Sequence, residues 1–209
     1  MMEGESRTYG GESVDERRRS RRLRFRDAAL ELFGTNGYAA TPVPAICKAA
    51  GLSTRQFYQE FSDREHLLRD LYDSIQGRSM TAVSEAVTIA LGNHADLETV
   101  LRAAVGAFVS VYESDPRITR VAFIEVVGVS SAFEAHRHEQ RQQWTELLQG
   151  VILDAEAHGL PVSHTGRLGW VAYIGAVNAA VVERANDPSI TRSELLDTMQ
   201  TLLRPGILG

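Results

Sequence analysis

One cysteine, Cys47, stands in 209 residues, so no intrachain disulfide is available. Long apolar runs are missing too. The longest stretches without a charge, Leu32 to Cys47 and Leu168 to Val182, have 16 and 15 residues, short of the roughly 20 that a spanning helix needs. No membrane passage is expected. No stretch offers sustained period-two alternation with hairpin turns, which argues against strands. Also absent are G-x-S-x-G, H-E-x-x-H, a Walker loop and a dinucleotide fingerprint. Gly128-Val129-Ser130 falls one glycine short of the first and has no strand before it. His136 and His138 lie two apart, so a helix points them in different directions; with Arg137, Glu139 and Arg141 they read as an exposed polar face rather than a metal pair. No metal, no cofactor and no enzymatic activity are expected. The first residues are polar rather than an apolar signal core, so no secretory signal is expected and a cytoplasmic location fits.

What is present is a polarised charge. The chain carries 22 Lys+Arg against 27 Asp+Glu, a formal charge of −5. Residues 1–16 carry net −4, residues 17–59 net +7, and residues 60–209 net −8. The positive part is dominated by Arg17, Arg18, Arg19, Arg21, Arg22, Arg24 and Arg26. Such a run reads either as a solvated arm or as a local attractor for a polyanion beside an acidic body that resists non-specific contact.

Turn and cap signals divide the chain into about nine helices, an all-α fold. Phe25, Ala28, Ala29, Leu32 and Phe33 recur at helical spacing from about Arg17 to Phe33, before Gly34-Thr35-Asn36-Gly37. A second, short helix starts with Thr41 as N-cap and Pro42 at the first helical position, and runs to Ala50. A third starts at the box Ser53/Gln56 and a fourth at Ser62/Glu65. Further starts are Asp96, Asp115-Pro116, Ser131, a cap near Ser163, and Thr191/Glu194.

The second and third helices, joined by Gly51-Leu52, have the form of a helix-turn-helix. At 100° per residue, Phe57 and Phe61 turn inward against Ile46, Ala49 and Leu52, while Arg55 and Gln59 point away and Gln56 and Tyr58 flank them. Arginine can grip guanine O6/N7, glutamine adenine N6/N7, and a tyrosine hydroxyl a phosphate. Gln56 is ambiguous, because a side chain closing a capping box is less available to a base.

Here the chain resembles the TetR family of transcriptional regulators. The resemblance rests on Ala28-Ala29-Leu30-Glu31-Leu32-Phe33, Gly37-Tyr38, Thr41, Ile46, Ala49-Ala50-Gly51-Leu52-Ser53, Phe57-Tyr58, Phe61 and Glu65-His66-Leu67-Leu68, and covers roughly residues 24–70. It implies a three-helix DNA-binding domain, a larger helical ligand-binding domain, and a homodimer on a pseudo-palindromic operator of double-stranded DNA. The expected division is a flexible basic arm at 1–20, the helix-turn-helix domain at 21–68, and a ligand-binding and dimerisation domain at 69–209. By position, Thr41, Tyr58 and Arg64 are the expected phosphate contacts, and Thr54, Arg55, Gln56 and Gln59 the base-facing set, with Ser53 opening the recognition helix. Arg64 stands where the family usually has lysine. Glu60 stands where a polar or basic residue is common, so no phosphate contact is expected there. Arg26 replaces a usually apolar residue; its stem is expected to pack while its head reaches solvent or DNA. In this context the arginine arm becomes a candidate minor-groove contact, with a solvated arm as the alternative.

Residues 70–209 carry no comparable motif. Helix eight, about Ser163 to Glu183, has a bulky face of Trp170, Tyr173, Ile174, Val177 and Val181 and an opposite small-residue face of Ala172, Gly175, Ala176 and Ala179. The bulky side is expected inward and the small side against a twofold mate. Leu196, Met199 and Leu203 of the last helix are expected to complete that interface. Phe108, Tyr112, Phe123, Trp144, Trp170, Tyr173 and Asn178 are the candidate lining of an apolar cavity for a small-molecule effector. That effector is expected to be lipophilic or aromatic rather than a phosphorylated metabolite, because no glycine-rich phosphate loop is present. Regulation is expected to be repression relieved by the effector; the alternatives are an activator or an effector-independent regulator of the same fold, or, from a different class, a helical small-molecule carrier or enzyme.

Overall fold

Ser13 opens the first helix with a reciprocal pair of bonds: its Oγ accepts the Glu16 N–H at 3.1 Å, and the Glu16 carboxylate accepts the Ser13 N–H at 2.6 Å. This computed structural model describes residues 13–203, in which α1 is Val14–Asn36, α2 Val43–Ala50, α3 Thr54–Glu60, α4 Arg64–Gly92, α5 Leu97–Glu113 and α6 Pro116–Arg120. A π-helical turn, Val121–Glu125, follows; then come α7 Ser131–Ala157, α8 Arg167–Asn186 and α9 Arg192–Leu203. The described residues contain no strand, and no helix among them is long and apolar enough to cross a membrane.

Most starts follow the expected caps: Ser53 bonds the Gln56 N–H, Asp96 the Thr99 N–H, Asp115 the Arg117 N–H, and Thr191 the Glu194 N–H. Three differ. The cap of α4 is Asp63, which accepts the His66 N–H at 2.7 Å, because the Glu65 carboxylate is taken by the Ser130 hydroxyl of the larger domain. The cap of α2 is Pro42, since the Thr41 hydroxyl turns inward and donates to the Gly37 carbonyl at 2.8 Å. Finally, α1 begins at Val14, one turn before the expected start near Arg17. The expected flexible arm is therefore helical over residues 14–20, and its residues 1–12 lie outside the described part.

The N-terminal core is aromatic. Phe25, Phe33, Ile46, Phe57, Phe61, Leu67 and Leu68 are buried. Phe25 meets Phe57 and Phe61 edge to face, with centroids 5.4 and 5.9 Å apart. This stack sets the angle of α3, so truncating one ring costs about 3–5 kcal/mol by analogy with other cores. Ala49 departs from expectation: it is exposed, and Cys47 and Ala50 supply that contact instead.

Helix α4 joins the two domains. Its first turns pack Leu67 and Leu68 into the aromatic core, and its later turns pack Val83, Val87 and Leu91 against the larger domain. At 1.5 Å per residue its 29 residues span roughly 43 Å without interruption. A second junction lies at the end of α1. A Cβ on Gly34 would sit 2.5 Å from Arg117 Cβ, so glycine permits α6 to approach the α1 backbone directly. Arg120 donates to the Thr35 carbonyl at 2.9 Å, and Arg117 pairs with Glu31.

Candidate nucleic-acid interface and ligand cavity

Gly51 sits at φ 62°, a left-handed cap that only glycine adopts without penalty, and this turns the chain sharply from α2 into α3. From Ser53 the second helix runs across the first with Phe57 inward. Thr54, Arg55, Tyr58 and Gln59 are all exposed. Their outer face therefore offers a guanidinium and an amide four residues apart, with a phenol beside them; Tyr58 is 58% exposed. Ser53 and Gln56 are occupied with each other: Gln56 Oε1 accepts the Ser53 N–H at 2.9 Å, which keeps Gln56 at the cap. Lys48 of α2 is an exposed cation near this face that the sequence reading passed over.

Two expected phosphate contacts change. Thr41 is 1% exposed, so its hydroxyl cannot reach a backbone phosphate. Arg64 is half-buried, donates to the Thr41 carbonyl at 2.8 Å, and lies 4.2 Å over the Tyr38 ring. It fastens the loop before α2 to the start of α4.

The arginine run is largely committed inside the domain. Glu60, at the end of α3, has a side chain only 1% exposed. It accepts from Arg18 Nε at 3.1 Å and from Arg21 Nε and Nη2 at 3.0 and 2.8 Å. Arg22 and Arg26 pair with Asp70, and Arg24 donates to the Ala50 carbonyl at 2.6 Å. Glu60 is thus neither a phosphate contact nor a repelling surface charge; it is the post to which the first turns of α1 are tied. Arg26 reaches Asp70 rather than DNA. Arg17 and Arg19 remain exposed on α1.

In the larger domain all seven candidate residues, from Phe108 to Asn178, line one cavity. Its volume is about 90 Å³, and it is bounded by α4, α5, the π-helical turn, α7, α8 and the end of α9. Phe108 packs against Trp144 at 5.4 Å and Tyr112 against Phe123 at 4.8 Å, while Trp144 Nε1–H donates to Gln76 at 2.7 Å. Burial pushes the Tyr112 and Tyr173 hydroxyls well above the ordinary phenol range, so both stay protonated donors. The sequence reading missed Arg137 and Arg141, which it placed on an exposed face; both line the cavity. His136 also leaves that face: it lies against Tyr72 and Phe133, with Nε2 2.5 Å from Asp73. Only the tilt of α7 against α4 shows this. No group of three or more metal-ligating side chains occurs among the described residues.

On α8, Trp170, Ile174, Val177 and Val181 are buried, while Ala172, Gly175 and Ala179 are exposed and Ala176 half-buried. On α9 the expectation fails in part. Met199 and Leu203 are 0% and 4% exposed within this chain, so they pack inward; Leu196 is half-buried, and Leu202, 48% exposed, faces out. A heptad-like count gives the apolar stripe of α9 but not which side meets its own domain.

The capped two-helix pair, with Arg55, Tyr58 and Gln59 exposed on its second helix, makes the N-terminal unit a helix-turn-helix domain. Residues 25–71 match the family described as bacterial regulatory proteins, tetR family, so the N-terminal unit is similar to the DNA-binding domain of that family. Among curated proteins, it is 34% identical over 122 residues to the HTH-type transcriptional activator FasR of Mycolicibacterium smegmatis, covering 57% of this chain and 54% of that protein. The match thus spans about half the length of that relative. Among solved structures, the regulator FadR of Bacillus subtilis in complex with stearoyl-CoA superposes with a TM-score of 0.71 at 19% identity, over 87% of this chain and 95% of that one. FadR of Bacillus halodurans gives 0.73 at 18%, over 87% and 92%. At these identities the likeness is one of fold.

Proposed function

We propose that this chain is a sequence-specific transcriptional regulator that binds a pseudo-palindromic operator as a homodimer and is controlled by a small lipophilic or aromatic effector in the cavity. The observation that carries the reading is the outer face of α3, where Arg55, Tyr58 and Gln59 stand exposed on a helix held rigid from behind by Phe57 and Phe61. A helix that merely packs has no use for base-reading side chains on its solvent side. The exposed small-residue face of α8 supports a twofold contact, because Ala172, Gly175 and Ala179 allow close approach of another backbone.

Control follows from volume. Ligand sites commonly measure roughly 300–1,000 Å³, whereas this cavity has about 90 Å³, so admitting a ligand must part the helices that line it. One of these is α4, which begins in the DNA-binding domain; another element is the π-helical turn, whose Glu125 accepts the Tyr38 N–H. A ligand that prefers the parted state then changes the spacing of the two recognition helices, and only that preference can drive a change in operator affinity. Repression relieved by the effector is the first reading. Activation is the second, favoured by the relative FasR, an activator by name.

The test is selection of genomic fragments by the purified protein. Enrichment of sites with twofold-related half-sites about 34 Å apart supports the proposal, and the neighbouring genes give the sign of regulation. Failure to enrich any such site contradicts it.

A further inference from the structure

Helices α4 and α7 run side by side in the same direction: Glu65 meets Ser130, Asp73 meets His136 and Gln140, and Gln76 meets Trp144. Their cavity-lining residues are therefore ordered along a common axis. At the end nearest the DNA-binding domain lie Tyr72 and Gln76 of α4 with Arg137 and Arg141 of α7. At the other end lie Val83 of α4 and Val151 and Ile152 of α7. From Tyr72 to Val83, and from Arg141 to Ile152, is eleven residues, roughly 16 Å of helix. The cavity is thus cationic at one end and aliphatic at the other.

The two carboxylates at the polar end, Asp73 and Glu134, hydrogen-bond groups other than Arg141. Asp73 is engaged by His136 and Gln140, and Glu134 binds Arg137 through both oxygens at 2.9 Å. Arg141 is half-buried and forms no ion pair or side-chain hydrogen bond among the described residues. A partly desolvated guanidinium beside an apolar cavity is satisfied most directly by an anion brought by a ligand.

Resting on the effector reading above, we propose that the effector is a chain-like amphiphile with an anionic head group, seated with that head at Arg141 and Arg137 and its hydrocarbon chain running toward Val83 and Ile152. The head lies at the end of the cavity nearest the DNA-binding domain. A carboxylate and a phosphate ester share the required chemistry. This departs from the expectation of a lipophilic or aromatic effector rather than a phosphorylated one, since the two arginines select an acid over a neutral compound of the same shape.

The chain's two tryptophans, Trp144 and Trp170, both line the cavity, so intrinsic fluorescence reports its occupancy. Full-length protein is titrated with dodecanoate, dodecyl phosphate and dodecan-1-ol, each below its micellar range. The expected result is that one or both acids bind at least tenfold tighter than the alcohol, and which acid binds tighter identifies the head group. In Arg141→Gln the acid preference falls to near unity while alcohol binding is unchanged; Arg137→Gln gives a smaller fall, because Glu134 already occupies that side chain. Equal binding of acids and alcohol by the unaltered protein, or an acid preference that survives both substitutions, overturns the head-group assignment but leaves the cavity as an effector site. No response to any of the three overturns both.

Discussion

The Glu125 carboxylate accepts the main-chain N–H of Tyr38 at 2.7 Å and the Arg120 Nε–H at 2.9 Å, so one side chain of the larger domain holds the turn that leads into α2. Two residues earlier in the same π-helical turn, Phe123 lines the cavity. The turn is therefore a short physical link between cavity and recognition unit. Replacing Glu125 by Ala leaves the Tyr38 N–H without its partner and is expected to cost about 1–3 kcal/mol of stability. Amide exchange across residues 35–41 should accelerate, and an effector should change DNA affinity less than in the unaltered protein. Unchanged exchange in that segment contradicts the link.

Glu60 and its arginines give an asymmetric pair of substitutions. Glu60→Ala removes the acceptor shared by Arg18 and Arg21 and leaves their guanidiniums without it, an expected loss of about 1–3 kcal/mol. Arg18→Ala removes one partner that is 59% exposed, worth less than about 1 kcal/mol. Thermal unfolding of the two variants separates them; equal losses mean that Glu60 is not the shared post.

Arg64→Ala tests a residue with two tasks. Loss of its bond to Thr41 and its contact with Tyr38 should lower stability by about 1 kcal/mol. DNA binding should weaken by a similar factor for every sequence, with a flatter dependence on salt. Titrations against an operator and a scrambled duplex measure both. A loss confined to one base position refutes this role.

Gly175 offers a clean probe of association. A Cβ at this exposed position meets no atom within 4 Å inside the chain, so Gly175→Leu is expected to leave the protomer folded. Sedimentation should show monomers where the unaltered protein gives dimers. An unchanged profile removes α8 from the interface.

The helix-turn-helix was legible in the sequence because its signals are local: the Gly51 turn, the Ser53/Gln56 box and the spacing of Phe57 and Phe61 each act within one turn of helix. The cavity lining was legible for a related reason, since aromatic residues on central helices converge wherever those helices pack. What escaped depends on which neighbour a face meets. Thr41 turns inward because the Gly37 carbonyl lies within reach, and Glu60 is buried because α1 extends far enough to cover it. Met199 and Leu203 face their own domain because α9 packs on α5 and α8, and Arg137 and Arg141 face the cavity because α7 runs parallel to α4. Periodicity defines a face without naming its partner.

The most direct test of the central claim is selection from randomised duplexes with the unaltered protein and with Arg55→Ala, read out as base preference per position. The account predicts a twofold-symmetric site in which Arg55→Ala relaxes preference by roughly 1–3 kcal/mol at one position in each half, leaving the others as they were. An unchanged pattern, or an equal loss at every position, contradicts α3 as the helix that reads the sequence.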